Sequence, residues 1–90
     1  MGIVIVKIKL MPSSVETDLE KIKREAQTLI TQRGGENCKF EEEPIAFGLK
    51  AVIMFFSWPE EKELENLEES IKKIEYVNSI QIMDMRRAIG

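Results

Sequence analysis

Apolar and polar residues alternate near the start of the chain in the pattern of a β-strand. Across Ile3–Met11 one face is entirely apolar, whereas Lys7 and Lys9 fall on the other face. The apolar face consists of Val4, Val6, Ile8 and Leu10. Pro12 has no backbone N–H to donate to a neighbouring strand, so we expect the strand to end there.

A helical period replaces this alternation after Thr17. The segment from Thr17 to Glu20 has the spacing of a capping box, which predicts Thr17 as the N-cap and Glu20 at the third helical position. Apolar residues then recur at helical spacing, at Leu19, Ile22, Ala26, Leu29 and Ile30. Gly34 and Gly35 follow as a stop signal, so we predict an amphipathic helix between Thr17 and Gly34.

Two further strands are predicted in the middle of the chain. Cys38–Glu43 alternates only weakly, and Pro44–Gly48 has the composition of a turn. Leu49–Trp58 is apolar on both of its faces, which is typical of a strand at the centre of a sheet.

A helix and a final strand are predicted in the last third of the chain. Pro59 suits the first position of a helix. The apolar stripe of that helix consists of Leu64, Leu67, Ile71 and Ile74. Val77–Met85 is predicted to be a strand with Ile80 and Ile82 facing inward, and Arg86–Gly90 a short tail.

The resulting order of elements is β-α-β-β-α-β, which predicts a ferredoxin-like plait. This α+β fold has a four-stranded antiparallel sheet with both helices on one face. We expect residues 1–90 to form a single domain, because a chain of 90 residues is too short for two independent cores.

Composition restricts the chemistry that this chain can perform. It contains no histidine and only one cysteine, Cys38, so we expect neither an internal disulfide nor a zinc site, and no cofactor. Without histidine to act as a base, Cys38 is more simply a structural residue than a nucleophile. Phosphate-binding glycine motifs are also missing, so we expect no tight nucleotide binding by the chain alone.

Charge and hydropathy bear on partners and location. The net charge is −3, from 13 basic and 16 acidic residues, which argues against direct binding of nucleic acid. No apolar stretch is long enough to cross a bilayer, and the first residues lack the features of a signal peptide. We therefore expect a cytoplasmic protein without a membrane partner.

Three groups of side chains are candidate sites. Glu41–Glu43 is more simply a solvated strand edge than a cation site, because neighbouring strand residues point to opposite faces. Phe55, Phe56 and Trp58 are interpreted as core or interface residues rather than a base-stacking platform. For Arg86 and Arg87, which follow the last strand, a solubilising basic end and a binding role are equally consistent with composition.

The segment Glu42–Ala51 (EEPIAFGLKA) resembles the E-P-I-A-F-G-L-x-A signature of archaeal elongation factor 1-beta. The acidic helix start at Asp18–Glu20 is similar to that family, and so is the ending from Val77 to Arg87. The resemblance covers essentially the whole chain and extends more weakly to the C-terminal exchange domain of the eukaryotic homologue.

This resemblance implies that the chain binds the GTPase elongation factor 1-alpha and promotes exchange of GDP for GTP, without covalent chemistry. In the eukaryotic relative a lysine near the C-terminus reaches the magnesium site of the GTPase. Arg87 matches that lysine, and Arg86 matches it if the register slips by one. Phe47, beside Gly48, matches an aromatic residue in a loop near the partner. We expect the chain to be a monomer when free.

Other functions of the plait fit the sequence less well. An RNA-binding plait is the main alternative, but it requires a basic face and an aromatic octamer that Ala46–Ile53 does not provide. An acylphosphatase-type hydrolase would need an arginine-containing phosphate loop where Met11–Ser14 stands. A regulatory ligand-binding domain would normally be attached to an enzyme.

Overall fold

The computed structural model describes residues 2–88 and has the predicted element order. The elements are β1 (Ile3–Pro12), α1 (Leu19–Gln32), β2 (Glu36–Pro44), β3 (Lys50–Pro59), α2 (Glu65–Lys72) and β4 (Val77–Arg87). The strands form one sheet in the order β2-β3-β1-β4, and every neighbouring pair is antiparallel. The prediction of a ferredoxin-like plait is therefore confirmed, with β3 in the central position that its two apolar faces indicated.

The hydrophobic core lies between the helices and one face of the sheet. Register pairs Val6 with Phe56 and Ile8 with Met54, so the even-numbered residues of β1 and β3 share that face. They form one buried cluster with Ile22, Ala26 and Ile30 of α1 and Leu67 and Ile71 of α2. Because both helices contact the same face, the predicted packing of α1 and α2 on one side of the sheet is correct.

The opposite face of the sheet carries charged side chains above its two central strands. Lys9 lies opposite Ile53, Glu43 lies opposite Ala51, and the ammonium and carboxylate are 3.5 Å apart. Ala51 and Ile53 are buried although no helix packs on this face. Long charged side chains lay their aliphatic stems over apolar neighbours, which accounts for this burial. The alternation of Lys7 and Lys9 in the sequence therefore identifies the open face of the sheet.

The N-cap of α1 differs from the prediction by one residue. Asp18, not Thr17, is the cap, and its carboxylate accepts hydrogen bonds from the backbone N–H groups of Glu20 and Lys21. Thr17 instead accepts a 3.3 Å hydrogen bond from the backbone N–H of Ser14 in the preceding turn. A carboxylate at the N-cap is also favoured by the helix dipole, which explains why Asp18 takes the position.

The prediction that Pro59 opens α2 is wrong. Pro59 is the last residue of β3 and pairs with Ile3, and the N–H of Glu60 donates to the carbonyl of Gly2 at 2.9 Å. Strand pairing with β1 thus continues past the point where a helix was expected. The helix begins only at Glu65, although the apolar stripe predicted for it, from Leu64 to Ile74, is buried as expected.

The predicted tail beginning at Arg86 is also wrong for its first residues. β4 continues to Arg87, and the N–H of Ala88 donates to the carbonyl of Ile3 at 2.8 Å. The start of β1 supplies backbone partners that the sequence pattern of β4 does not reveal. Ile89 and Gly90 of the predicted tail lie outside the described residues.

Candidate functional site

Arg86 and Arg87 lie at the end of β4, where the strand pairs with the start of β1. Arg86 is opposite Ile5 and Arg87 is opposite Val4. Because successive strand residues point to opposite faces, the two guanidinium groups project in different directions. A register slip by one residue would therefore change the face from which a cation is presented.

A β-bulge determines which arginine occupies which face. Ile82 pairs with Ile8 and Asp84 pairs with Lys7, so Met83 is an extra residue on β4. Without the bulge, unbroken alternation would put Asp84 and Arg86 on the same face as Ile82, toward the helices. The bulge moves both to the open face, where Arg86 Nε donates to Asp84 Oδ2 at 2.7 Å.

Each arginine has an acidic partner. Arg87 makes two contacts with the carboxylate of Glu60, including a 3.1 Å hydrogen bond from Nε to Oε2. The hydrogen bonds and charge of Glu60 raise the pKa of Arg87, so the guanidinium stays charged. Both arginine side chains are exposed, and exposed ion pairs of this kind exchange readily with other partners.

Phe47 and Gly48 form the tip of the hairpin between β2 and β3. Both have positive φ angles, of 53° and 80°, and the N–H of Leu49 donates to the carbonyl of Ala46 at 2.9 Å. A type I′ turn requires this backbone conformation at both central positions. Glycine adopts it freely, whereas an aromatic residue does so at a cost in conformational energy. Phe47 is also fully exposed to solvent, so its ring has no packing contact that offsets this cost.

The fold places these two groups at opposite ends of the sheet. Arg87 lies beside Val4, which pairs with Trp58 near the end of β3, whereas Phe47 precedes the start of β3. At roughly 3.3 Å per residue, the strand from Lys50 to Trp58 alone spans about 25 Å, and Phe47 lies beyond Lys50, so the separation is more than about 25 Å. Arg86, Arg87, Phe47 and Gly48 therefore form two separate surfaces, which we call the arginine end and the hairpin end.

The remaining candidate residues have structural roles. Glu42 accepts a 2.8 Å hydrogen bond from Lys23 of α1, which lowers the pKa of its carboxyl group. Across residues 2–88, no group of three or more potential metal-ligating side chains converges.

The aromatic candidates lie on both faces of β3. Phe56 and Trp58 are buried in the core, as expected. Phe55 is half-buried on the open face, and the Lys7 ammonium lies 5.4 Å from its ring centre. Burial raises the pKa of the Cys38 thiol to about 11, which disfavours a nucleophilic thiolate.

Sequence reasoning missed two residues that contribute to these surfaces. Glu60, which follows the Pro59 predicted to open a helix, instead contacts Arg87, because the chain leaves β3 beside the end of β4. Tyr76, between the apolar stripe of the second predicted helix and the final strand, has a φ of 71° and lies at the hairpin end. An aromatic residue directly before a predicted strand was the only sequence signal for it.

Residues 5–88 match the family described as the EF-1 guanine nucleotide exchange domain. This chain belongs to that family. EF-1 exchange domains act on a bound nucleotide without making or breaking covalent bonds, so the chain is not an enzyme in the covalent sense. The resemblance read from the EEPIAFGLKA segment is thereby confirmed.

Archaeal relatives of similar length match nearly the whole chain. Elongation factor 1-beta of Methanothermobacter thermautotrophicus is 46% identical over 88 residues, covering 97% of this chain and 98% of the relative. Elongation factor 1-beta of Metallosphaera sedula is 38% identical over 86 residues, covering 93% of each chain. These matches support a role in nucleotide exchange during translation elongation.

Solved structures resemble this chain in fold alone. The C-terminal domain LarC2 of a cyclometallase superposes with a TM-score of 0.67 at 10% identity, covering 99% of this chain and 58% of that one. The designed protein Foldit4 superposes with a TM-score of 0.64 at 16% identity, covering 98% of both chains.

No helix among the described residues is long and apolar enough to span a bilayer.

Proposed function

We propose that this chain promotes exchange of GDP for GTP on elongation factor 1-alpha by bringing Arg87 to the magnesium and phosphate site of the GTPase. The observation that carries the proposal is an exposed guanidinium at the end of a strand whose register is fixed by β1. A cation on such a rigid element is presented at a defined position, which a flexible tail would not achieve.

The mechanism is electrostatic displacement. GDP is held largely through its phosphates and the magnesium ion that neutralises them. A guanidinium placed at the metal site competes with the ion and weakens the contacts to GDP. Binding of the factor and binding of nucleotide then oppose each other reciprocally. A thousandfold faster release requires about 4 kcal/mol of differential stabilisation, which a few well-packed contact residues supply.

Arg86 and the hairpin tip have supporting roles in this proposal. Arg86 projects from the other face of β4 and pairs with Asp84, so it contributes charge near the contact without entering the metal site. Phe47, positioned by the turn with Gly48, provides a hydrophobic contact to the GTPase more than about 25 Å from Arg87. We further propose that residues 1–90 act as one exchange domain in the cytoplasm, as a monomer when free and without direct contact with nucleic acid.

The test is stopped-flow release of fluorescent GDP from archaeal elongation factor 1-alpha. We expect wild type to accelerate release many-fold and Arg87→Ala to lower the maximal rate at least tenfold. Arg87→Lys should retain part of the acceleration because it keeps the cation. Arg24→Ala removes an exposed arginine from α1 and serves as the matched control, with a rate close to wild type.

Two results would contradict the proposal. If the wild-type protein leaves the rate of GDP release unchanged, the exchange function itself is wrong. If release is accelerated equally by wild type and by folded Arg87→Ala, the function stands but Arg87 does not act at the metal site. The same measurement on Arg86→Ala would then show whether the neighbouring arginine takes that role.

A further inference from the structure

Several large apolar side chains are exposed together at the hairpin end. Besides Phe47, they include Val15 at 60% exposure, Tyr76 at 56%, and Ile45. They come from three loops: the turn after β1, the β2–β3 hairpin and the turn before β4. Single exposed apolar residues are common on proteins, but several on adjoining loops mark a contact surface.

Direct contacts connect the three loops. A methyl group at Gly48 would lie 3.7 Å from Cγ1 of Val15, so the hairpin tip abuts the turn after β1. The N–H of Ser13 in that turn donates to the carbonyl of Tyr76 at 2.9 Å. The turn containing Val15 therefore lies between the hairpin tip on one side and Tyr76 on the other.

Backbone strain is concentrated at this surface. Of the three non-glycine residues with positive φ among residues 2–88, Phe47 and Tyr76 lie here, and both are aromatic. Asn37 is the third, and asparagine tolerates this conformation well. A bulky residue in the left-handed region is strained, and such strain concentrates at binding sites. Glycine or asparagine would suit the backbone at Phe47 and Tyr76 better, so the rings are not there for stability.

We propose that Tyr76 and Val15 extend the Phe47 contact into a single hydrophobic anchor for elongation factor 1-alpha. This inference rests on the proposed function for its choice of partner. The GTPase is the expected occupant because this surface is continuous with the hairpin tip proposed to contact it. Val15 adjoins that tip, and Tyr76 adjoins the turn of Val15. Rigid aromatic side chains are effective anchors at interfaces, since they bury a large area with little loss of side-chain entropy.

The anchor and the arginine end affect different steps of the exchange reaction. The anchor lies more than about 25 Å from Arg87, too far to touch the same magnesium and phosphate site. It therefore sets the affinity for the GTPase, whereas Arg87 sets the rate of GDP release in the complex. The partner must accordingly offer a hydrophobic surface well removed from its nucleotide site.

The experiment combines equilibrium binding to nucleotide-free elongation factor 1-alpha with the GDP-release titration. Tyr76→Asn removes the ring but keeps a residue suited to positive φ, so the variant should fold at least as stably as wild type. We expect its dissociation constant to rise at least tenfold and its maximal release rate to change less than twofold. Val15→Asn should act in the same direction, and the control Gln27→Asn, on the exposed face of α1, should stay within twofold of wild type.

The outcomes separate this inference from the proposed function. If Tyr76→Asn and Val15→Asn bind the GTPase as tightly as wild type, the anchor is wrong even though exchange is accelerated. If wild type binds without accelerating release and Tyr76→Asn weakens binding, the exchange mechanism fails and the anchor stands. If sedimentation shows that the surface instead joins two copies of this chain, and the variants lose only that association, the anchor is overturned.

Discussion

Phe47 shows at the scale of one residue how local strain and exposure point to function. Its ring makes no core contact, and its backbone occupies a region that L-residues other than glycine, asparagine and aspartate seldom adopt. Folding gains nothing from the ring that would offset this cost. A contribution to partner binding is the simplest physical reason for an aromatic residue at this position.

Replacement of Phe47 should therefore separate stability from activity. We expect Phe47→Asn to be more stable than Phe47→Ala by about 1 kcal/mol, because asparagine tolerates positive φ and alanine does not. Urea unfolding followed by circular dichroism measures this difference. Both variants should need a higher concentration for half-maximal GDP release, and equal stability of the two variants would contradict the assignment of strain.

Cys38 gives a pH-dependent prediction. Its pKa is raised by burial from 9.0 to about 11, so the neutral thiol is favoured in the folded protein. Its contribution to stability is then fully present below about pH 9 and is lost as the pH rises toward 11. The unfolding free energy of wild type should fall more steeply over that range than that of Cys38→Ala. Parallel pH profiles of the two proteins would refute the burial effect.

Helix α1 shows at the scale of an element how two neighbouring candidates for a cap are resolved. Thr17 and Asp18 both have side chains that cap helices, and the spacing from Thr17 to Glu20 favoured the threonine. The structure assigns the cap to Asp18, because Thr17 is engaged with Ser14 in the turn after β1. The chain's path into the helix, rather than the motif, decides the position.

Alanine substitutions should distinguish the two residues. Asp18→Ala removes the acceptor for the N–H groups of Glu20 and Lys21, and we expect it to lower the unfolding free energy by about 1 kcal/mol. Thr17→Ala loses only exposed contacts within its turn and should cost clearly less. Urea denaturation of both variants is the measurement. A larger loss of unfolding free energy for Thr17→Ala than for Asp18→Ala would mean that Thr17 is the cap after all.

The whole molecule separates its two proposed contact surfaces by the length of the sheet. No described side chain of the arginine end contacts the hairpin end, and the core between them is a packed layer of strands and helices. Two contact surfaces on one rigid body act on a partner jointly but without direct coupling, because distant sites that share no contacts contribute independently.

The effects of Phe47→Ala and Arg87→Ala should therefore be additive. At subsaturating concentrations, each loss in GDP-release efficiency is converted to a free energy. The free-energy losses of the two single variants should sum to that of the double variant within about 0.5 kcal/mol. A closer pair, Phe47 and Tyr76, provides the contrasting case, because both lie in one surface. Strong non-additivity between Phe47 and Arg87 would mean that a conformational change links the two ends.

The sequence alone determined the architecture and the family of this protein. Hydrophobic periodicity specified six elements in the order of a plait, because strands and helices must bury apolar residues at different spacings. The segment Glu42–Ala51 indicated the exchange family, since it is recognised by its particular residues and not by hydrophobicity alone, and the family match over residues 5–88 agrees. Both kinds of information are local in the chain.

Only the tertiary structure decided how the ends are built. The extension of β4 through Arg87 depends on backbone partners from Ile3 to Val4, which lie at the other end of the sequence. The bulge at Met83 chooses the face of each arginine, and the pairing of Glu60 with Arg87 follows from the meeting of two strand ends. Likewise Tyr76 contacts Ser13, in the turn that contains Val15, because β1 and β4 are neighbours in the sheet. Such long-range pairings leave no periodic trace in the sequence, so the fold alone reveals them.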